Sequence, residues 1–374
     1  IYTALVKLIS PYPIFISRSD NFADSWTTPV AINPNPPARC VGPSLVINED
    51  GKIFICWASV TPQPPFFEDY ISFASSTDGG INWQITNNIF DANGIIGTLP
   101  EKGSIRVNGL PRMAIDKSSG PRNGWLYIVT TDKNLSPAGS DPDIILHRST
   151  DSGQSWSSGI RVNQDPVNNG KIQYFPAIDV DNSGAIHIIY YDDRNTTSDS
   201  AEVFISTSTD GGDNWTDKVL SDHRFKPKSI AGGSSNYQGD YISLISNGNK
   251  LYAYWMDDFS GIYQIWSKII DIPTSIDNEV YQSVISDYYL SNNYPNPFNP
   301  ATTIDFNLPN SSNVSLKVFD VTGKEVVTVL NDFVSEGKHS IFFDAAKYHL
   351  SSGIYFYTLT VNGYTQTKPM MLLK

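Results

Sequence analysis

The chain is poor in several things at once, and each shortage removes a class of protein. It has only two cysteines in 374 residues, so at most one disulfide is possible, and only in an oxidising compartment. Local geometry argues against that one. The stretch GPSLVINEDGKIFICWAS (42–59) reads as a hairpin turning near Asp50-Gly51, which sets Cys56 opposite about Ser44. Cys40 then lies about four residues out of register, roughly 13 Å along a strand, beyond disulfide reach. The two cysteines are read as small apolar fillers. Basic residues are scarce, with 26 Lys and Arg against 38 Asp and Glu and a formal net charge of −12. Such a surface repels phosphate backbones, so no nucleic-acid partner is expected. No run of about 18 apolar residues occurs, so no segment reads as a membrane span. The five histidines (147, 187, 223, 339 and 349) have no metal-ligand spacing, and no metal is expected on them. No G-x-G-x-x-G, P-loop or G-x-S-x-G phrase is present. The opening IYTALVKLIS has neither an initiator Met nor a recognisable signal peptide, which reads as a processed N-terminus or a fragment.

What the chain does have is aromatic and turn-forming. It carries 20 Tyr, 18 Phe and 8 Trp, with 26 Gly and 24 Pro, a mix that suits an all-β protein of short strands. Its length is enough for two domains. One phrase recurs: STDGGINW (76–83), STDSGQSW (149–156) and STDGGDNW (208–215), with a worn copy, SDNFADSW, at 19–26. Trp83, Trp156 and Trp215 are 73 and 59 residues apart, and Trp26 precedes Trp83 by 57. An alternating hairpin precedes each good copy (42–59, 110–132 and 175–194), and a fourth hairpin, 239–258, has no box after it. Each leads to a third strand, and a short fourth follows the boxes. An N-terminal remnant offers three more strands near 3–9, 13–18 and 28–33. Four-stranded units at this period predict a β-propeller. The count is five blades if the remnant is completed from elsewhere in the chain, or six if sequence is missing upstream.

The phrase has a physical reading. Its Ser and Asp side chains bond backbone groups inside a tight turn, its Gly supplies a backbone geometry that a Cβ opposes, and its Trp packs between neighbouring sheets. The structural set is Ser76, Asp78, Gly80 and Trp83; Ser149, Asp151, Gly153 and Trp156; Ser208, Asp210, Gly212 and Trp215; and, in the worn copy, Ser19, Asn21 and Trp26. One carboxylate per turn is too few for a calcium cage. The phrase S-x-D-x-G-x-x-W resembles the Asp box of sialidase-like (BNR-repeat) propellers, over roughly residues 1–270. The resemblance implies that the boxes lie on the face away from the ligand site.

In such a propeller the ligand face is formed by residues entering each first strand and by loops leaving each second strand. Here these are Arg39, Glu68, Asp69, Arg112, Asp132, Tyr174, Phe175, Tyr191, Asp192, Asp193, Arg194, Tyr237, Gln238, Asp240, Trp255, Asp257 and Asp258. The ligand-binding candidates are Arg112, Asp132, Tyr191, Asp192, Asp193, Arg194, Tyr237, Asp240, Trp255, Asp257 and Asp258. Carboxylates beside aromatic rings suit sugars, and paired carboxylates are what glycoside hydrolysis uses. Asp192, Asp193 and Asp257 are the catalytic candidates. The sialidase resemblance implies an Arg triad, a Tyr nucleophile with a Glu, and an Asp acid. No triad is legible: CVGPSL (40–45) has Val41 where the first Arg belongs, and Arg112 follows its Pro instead of preceding it by two. No cofactor is expected, although the acidic rim leaves room for a structural calcium ion.

The texture changes after about residue 270. Residues 271–289 read as a linker, and 290–374 as a small Ig-like β-sandwich of about seven short strands. NYPNPFNPATTI, VFDVTGKEV, SGIYFYTL and the terminal MMLLK resemble the type A C-terminal sorting domain of the type IX secretion system. That resemblance implies export across a Bacteroidetes/Chlorobi-type outer membrane, with the tail recognised by the secretion machinery. The sequence thus predicts an all-β, five- or six-bladed propeller with an Ig-like sandwich, secreted or held at the cell surface, binding extracellular glycan or polymer. The alternatives are a sialidase-like glycoside hydrolase and a structural subunit that self-assembles into a surface layer or filament.

Overall fold

The computed structural model describes residues 1–7, 9–63, 66–95, 97–230, 236–272, 288–362 and 364–373. The chain divides into two compact units, Ile1–Pro273 and Thr274–Lys374. Residues 273–287, most of the expected linker, lie outside the described residues.

The first unit is a succession of antiparallel sheets. Strands β1 (Tyr2–Val6), β2 (Ile14–Arg18) and β3 (Val30–Ala31) form the first. The second joins β4 (Arg39–Ile47), β5 (Ile53–Val60), β6 (Glu68–Ser76) and β7 (Gln84–Asp91). After a two-stranded excursion, β8 (Gly97–Leu99) and β9 (Ile105–Val107), comes the third: β10 (Arg112–Ile115), β11 (Leu126–Asp132), β12 (Asp143–Ser149) and β13 (Ile160–Arg161). The fourth holds β14 (Gln173–Val180), β15 (Ile186–Asp192), β16 (Glu202–Ser208) and β17 (Thr216–Val219). The fifth holds β18 (Ser243–Asn247), β19 (Lys250–Asp257) and β20 (Gln264–Asp271). Strands β1, β4, β10, β14 and β18 pack in series, each against the next, which is how successive propeller blades are arranged.

The hairpins fall where the alternation places them. Ser44 pairs with Cys56 and Cys40 with Ser59, and both thiols are free and buried. Burial pushes Cys40 up to about 11 and Cys56 to about 12, so neither is a reactive thiolate at neutral pH. Gly42-Pro43 shifts the register of β4 between Val41 and Ser44, because Pro has no N–H to give the ladder.

The repeated phrase turns each third strand into its fourth. Ser149 Oγ donates to Asp151 Oδ1 (2.8 Å) and accepts from Gly153 N–H (2.8 Å), while Asp151 also accepts from Ser155 N–H (2.9 Å). Ser76–Asp78–Gly80 and Ser208–Asp210–Gly212 repeat the arrangement within 0.1 Å. The worn copy keeps it too: Ser19 Oγ bonds Asn21 and Ala23 N–H, both at 2.9 Å, with Ala23 at φ 73° standing in for the Gly. Each tryptophan then packs between its own sheet and the one before. Trp83 joins the core of sheets one and two, Trp156 that of two and three, and Trp215 that of three and four. Trp26, on the first sheet, is 42% exposed.

The second unit has seven strands in two sheets. One is β21 (Tyr289–Leu290), β22 (Ala301–Leu308) and β25 (Gly337–Asp344). The other orders β24 (Glu325–Val334), β23 (Ser312–Phe319), β26 (Gly353–Val361) and β27 (Tyr364–Leu372). Leu290, Phe306, Leu316, Val318, Phe343 and Leu359 share one core drawn from both sheets.

Two glycines of the third sheet separate backbone from packing. Gly124 has φ +82° with nothing within 4 Å of an added Cβ, whereas at Gly153 (φ +87°) that Cβ meets the Phe73 ring at 2.3 Å. Gly124→Ala is expected to cost about 1 kcal/mol, the left-handed backbone alone. Gly153→Ala is expected to cost at least ~2 kcal/mol more, measured by denaturant unfolding of the full chain. Equal costs would mean the box corner is not seated against the preceding sheet.

Candidate functional site

In an up-and-down sheet the third-to-fourth turn shares a rim with the first-to-second turn. The starts of first strands and the second-to-third connections occupy the opposite rim. The segment 92–111, between β7 and β10, belongs to that opposite rim and holds β8, a short 3₁₀ turn (Pro100–Lys102) and β9. It reaches from the second sheet across to the fourth and fifth. Ile95, Leu99, Ile105 and Val107 join one core with Ile172, Tyr174, Tyr191 and Trp255. Lys102 is fully buried; its Nζ donates to Asp193 Oδ2 (2.5 Å) and to the carbonyls of Ser198 (2.5 Å) and Ser200 (3.1 Å). Arg106 grips Asp240 with Nη1 at 3.0 Å from both carboxylate oxygens and lies 4.6 Å over the Tyr237 ring.

Beneath this crossing segment sits Glu68, only 3% exposed, its carboxyl accepting from Gly109 N–H at 2.9 Å. The segment approaches so closely that a Cβ at Gly94 would fall 1.6 Å from Glu68 Oε2, and one at Gly109 2.4 Å from the Thr131 carbonyl. Burial, reinforced by the nearby Asp132 charge, pushes Glu68 up to about 8. Asp132 is itself raised by burial, yet accepts from Thr130 Oγ1 (2.5 Å) and Asn93 N–H (2.7 Å). Glu68 therefore holds a proton at neutral pH. Glu68, Arg39, Arg106 and Asn108, with the apolar Phe66 and Leu110, line a cavity of about 360 Å³. Arg39 lies between the rings of Tyr12 and Phe66, 4.8 Å from each centroid, and its buried Nε has no hydrogen-bond partner.

The residues singled out from sequence divide into two groups. Arg112, Asp132, Tyr237 and Asp240 gather around this cavity and its crossing segment. Arg112 stacks 4.9 Å over Tyr241 and, beside Glu68, has its basicity lowered by burial. The others do not line the cavity and are engaged with their own chain, Asp193 with Lys102 of the crossing segment and Tyr191 and Trp255 in the core beneath it. Asp192 is held by Arg194 (Nη2 at 2.6 Å) and by Gln173, with burial pushing it up to about 6. Arg194 also reaches Asp217 (2.5 Å) and covers the Phe204 ring. Asp193 is the partner of Lys102. Tyr191 donates to the Met256 carbonyl (2.8 Å). Asp257 is fully buried and accepts from Trp255 Nε1 and pairs with His223 Nε2, both at 2.9 Å, while Asp258 pairs with Lys228. Asp192, Asp193 and Asp257, the expected catalytic carboxylates, line neither this cavity nor the polar hollow by Asp69 and Asn93. No group of three His, Cys, Asp or Glu suited to a metal ion occurs among the described residues.

Sequence reasoning placed Glu68 and Arg39 on the right rim but did not single them out, and it assigned nothing to 92–111. The signal available there was the pair of short apolar runs, Gly97–Leu99 and Ile105–Val107, flanking Pro-Glu-Lys-Gly.

The first unit is thus an all-β series of antiparallel sheets packed one against the next in the manner of propeller blades, with the cavity on the rim opposite the corner turns. Residues 292–372 match the secretion system C-terminal sorting domain. The second unit is that domain, and the chain is exported by type IX secretion to the cell surface or beyond. A comparison with curated proteins gave no match. Among solved structures, a Dyadobacter fermentans protein of unknown function is similar at 14% identity and TM-score 0.46, covering 90% of this chain and 86% of its own. A Penicillium chrysogenum α-L-arabinanase complexed with arabinobiose is similar at 14% identity and TM-score 0.40, with 99% and 98% covered. Leech intramolecular trans-sialidase is similar at 13% identity and TM-score 0.40, with 70% and 36% covered. Among the described residues no helix is long and apolar enough to cross a membrane.

The Glu68 environment predicts a pH dependence. Its folded pKa, about 8, lies above that of the unfolded chain, so its contribution to stability is full below about 4.5 and is lost as pH rises through 8. Glu68→Gln is expected to be at least ~2 kcal/mol more stable relative to the parent at pH 9 than at pH 5. Parallel stability–pH curves for the two proteins would contradict a buried, neutral Glu68.

Proposed function

We propose that the protein is an exported β-propeller, five- or six-bladed with an Ig-like sorting sandwich, that binds extracellular glycan or a similar polymer at the rim cavity. The supporting observation is the character of that cavity. Its apolar part, Val41, Val60, Phe66 and Leu110, offers a surface for a sugar face, and Arg39, Glu68, Arg106 and Asn108 offer hydrogen bonds at its edge. The acids and arginines read as site-like in the sequence at 192–194 and 257–258 are consumed in internal pairs, so they act as scaffold for the rim.

One observation favours glycoside hydrolysis as a second reading. A cavity-lining carboxyl held protonated near neutral pH is poised to act as a general acid. In that case Glu68 replaces Asp192, Asp193 and Asp257 as the candidate acid.

A glycan array and a panel of chromogenic glycosides, both run on the purified full-length chain, separate the readings. The binding reading expects captured oligosaccharides and no turnover. Turnover that falls at least 100-fold in Glu68→Gln would make the protein a hydrolase, and neither capture nor turnover would defeat both readings.

A further inference from the structure

The nine arginines of the chain are not used alike. Seven stand within ion-pair distance of a carboxylate: Arg18, Arg106, Arg122, Arg148, Arg161, Arg194 and Arg224. Arg112, mostly buried, caps Tyr241 and donates to the Pro111 carbonyl. Arg39 alone among them both lines the cavity and has neither a carboxylate nor a hydrogen-bond acceptor among the described residues. In a chain of net charge −12, a half-buried cation left without an acid is conspicuous. Its setting is also built. Tyr12 (φ 60°) and Phe66 (φ 59°) both adopt the left-handed backbone that non-glycine residues seldom occupy, and both present their rings to the guanidinium. Two rings fix the plane of the fork while adding no acceptor.

The cavity's other charges do not answer Arg39. Arg106 is neutralised by Asp240. Glu68, the cavity carboxyl, is kept neutral by burial and by Asp132, with the Gly109 N–H, Arg106 and Arg112 acting in the opposite, weaker sense. Among the described residues the pocket therefore carries one uncompensated positive charge at neutral pH.

We infer that Arg39 is the anchor for an anionic group on the ligand, a carboxylate or sulfate ester of an acidic polysaccharide, with Phe66 and Leu110 against the sugar ring and Asn108 at its edge. This rests on the glycan-binding reading above and narrows it to polyanionic chains. A planar guanidinium pairs with either oxyanion through two parallel N–H donors. Above about pH 8 Glu68 ionises and repels the same group.

The test is isothermal titration of the full-length chain with three probes: trigalacturonate, a sulfated carrageenan tetrasaccharide and neutral cellotriose. One charged probe is expected to bind at least 10-fold tighter than cellotriose, and which one it is identifies the oxyanion. Arg39→Met is expected to remove that preference and Arg39→Lys to keep part of it. In the parent, affinity for the charged probe is expected to fall as pH rises from 7 to 9, and in Glu68→Gln to stay flat. Should Arg39→Met fold poorly, as judged by thermal unfolding, Arg39→Lys and the pH arm still decide. Equal binding of cellotriose and the charged probes, or a preference unchanged in the Arg39 variants, would overturn the anionic anchor and leave glycan binding standing. No binding of any probe, together with a blank glycan array, would overturn the glycan reading itself.

Discussion

The first unit depends on one small arrangement: a serine hydroxyl held between an aspartate carboxylate and a glycine N–H. The hydroxyl donates a hydrogen bond to the carboxylate and accepts one from the backbone N–H, so two groups that would otherwise need water are satisfied inside a tight corner. That fixes where the chain turns, and the turn decides where the following tryptophan goes. The worn copy separates the two roles. Ser19, Asn21 and Ala23 keep the hydrogen bonds, yet Trp26 stays half in solvent. On the later sheets Trp83, Trp156 and Trp215 lie over a preceding sheet and are sheltered. The corner is local, and the clamp needs a neighbour.

With one rim committed to corners, the opposite rim is free to vary, and the segment 92–111 occupies it. Its hold on the fourth sheet is a fully buried Lys102–Asp193 pair. Such a pair gives little net stability over apolar packing but is costly to break on one side, so it specifies position more than it adds strength. What it positions is Arg106, Asn108 and the glycines that press on Glu68. The acidic composition thus gives a misleading picture of the site. Most rim carboxylates are spent on arginines, lysines and backbone N–H groups, and the cavity is left with a cation.

Much of the fold was legible because its signals are local. Period-two alternation and Asx/Gly turns placed the hairpins, and the Ser44–Cys56 register followed from where Asp50-Gly51 turns. Seven short strands in the C-terminal unit were readable in the same way. The site was less legible, because its properties are set by partners distant in sequence. Asp193 meets Lys102 across 91 positions, and Asp257 meets His223 across 34. Residue type and rim position suggested reactive acids; in the structure each is engaged by such a partner. Glu68 looked ordinary because what distinguishes it, the close approach of Gly94 and Gly109, comes from a segment whose strands are three residues each. Arg39 is notable for having no acid partner among the described residues, and a missing partner has no sequence signature.

The central claim, a rigid corner rim opposite a recognition rim, is tested most directly by residue-resolved amide hydrogen exchange with and without a bound acidic oligosaccharide. The account predicts that the Gly80, Gly153 and Gly212 amides, each bonded to a box serine, exchange only on global unfolding and ignore the ligand. The amides of Arg106 and Gly109 should open locally and slow when it binds. Ligand protection concentrated at the box corners, with the crossing segment unchanged, would contradict it.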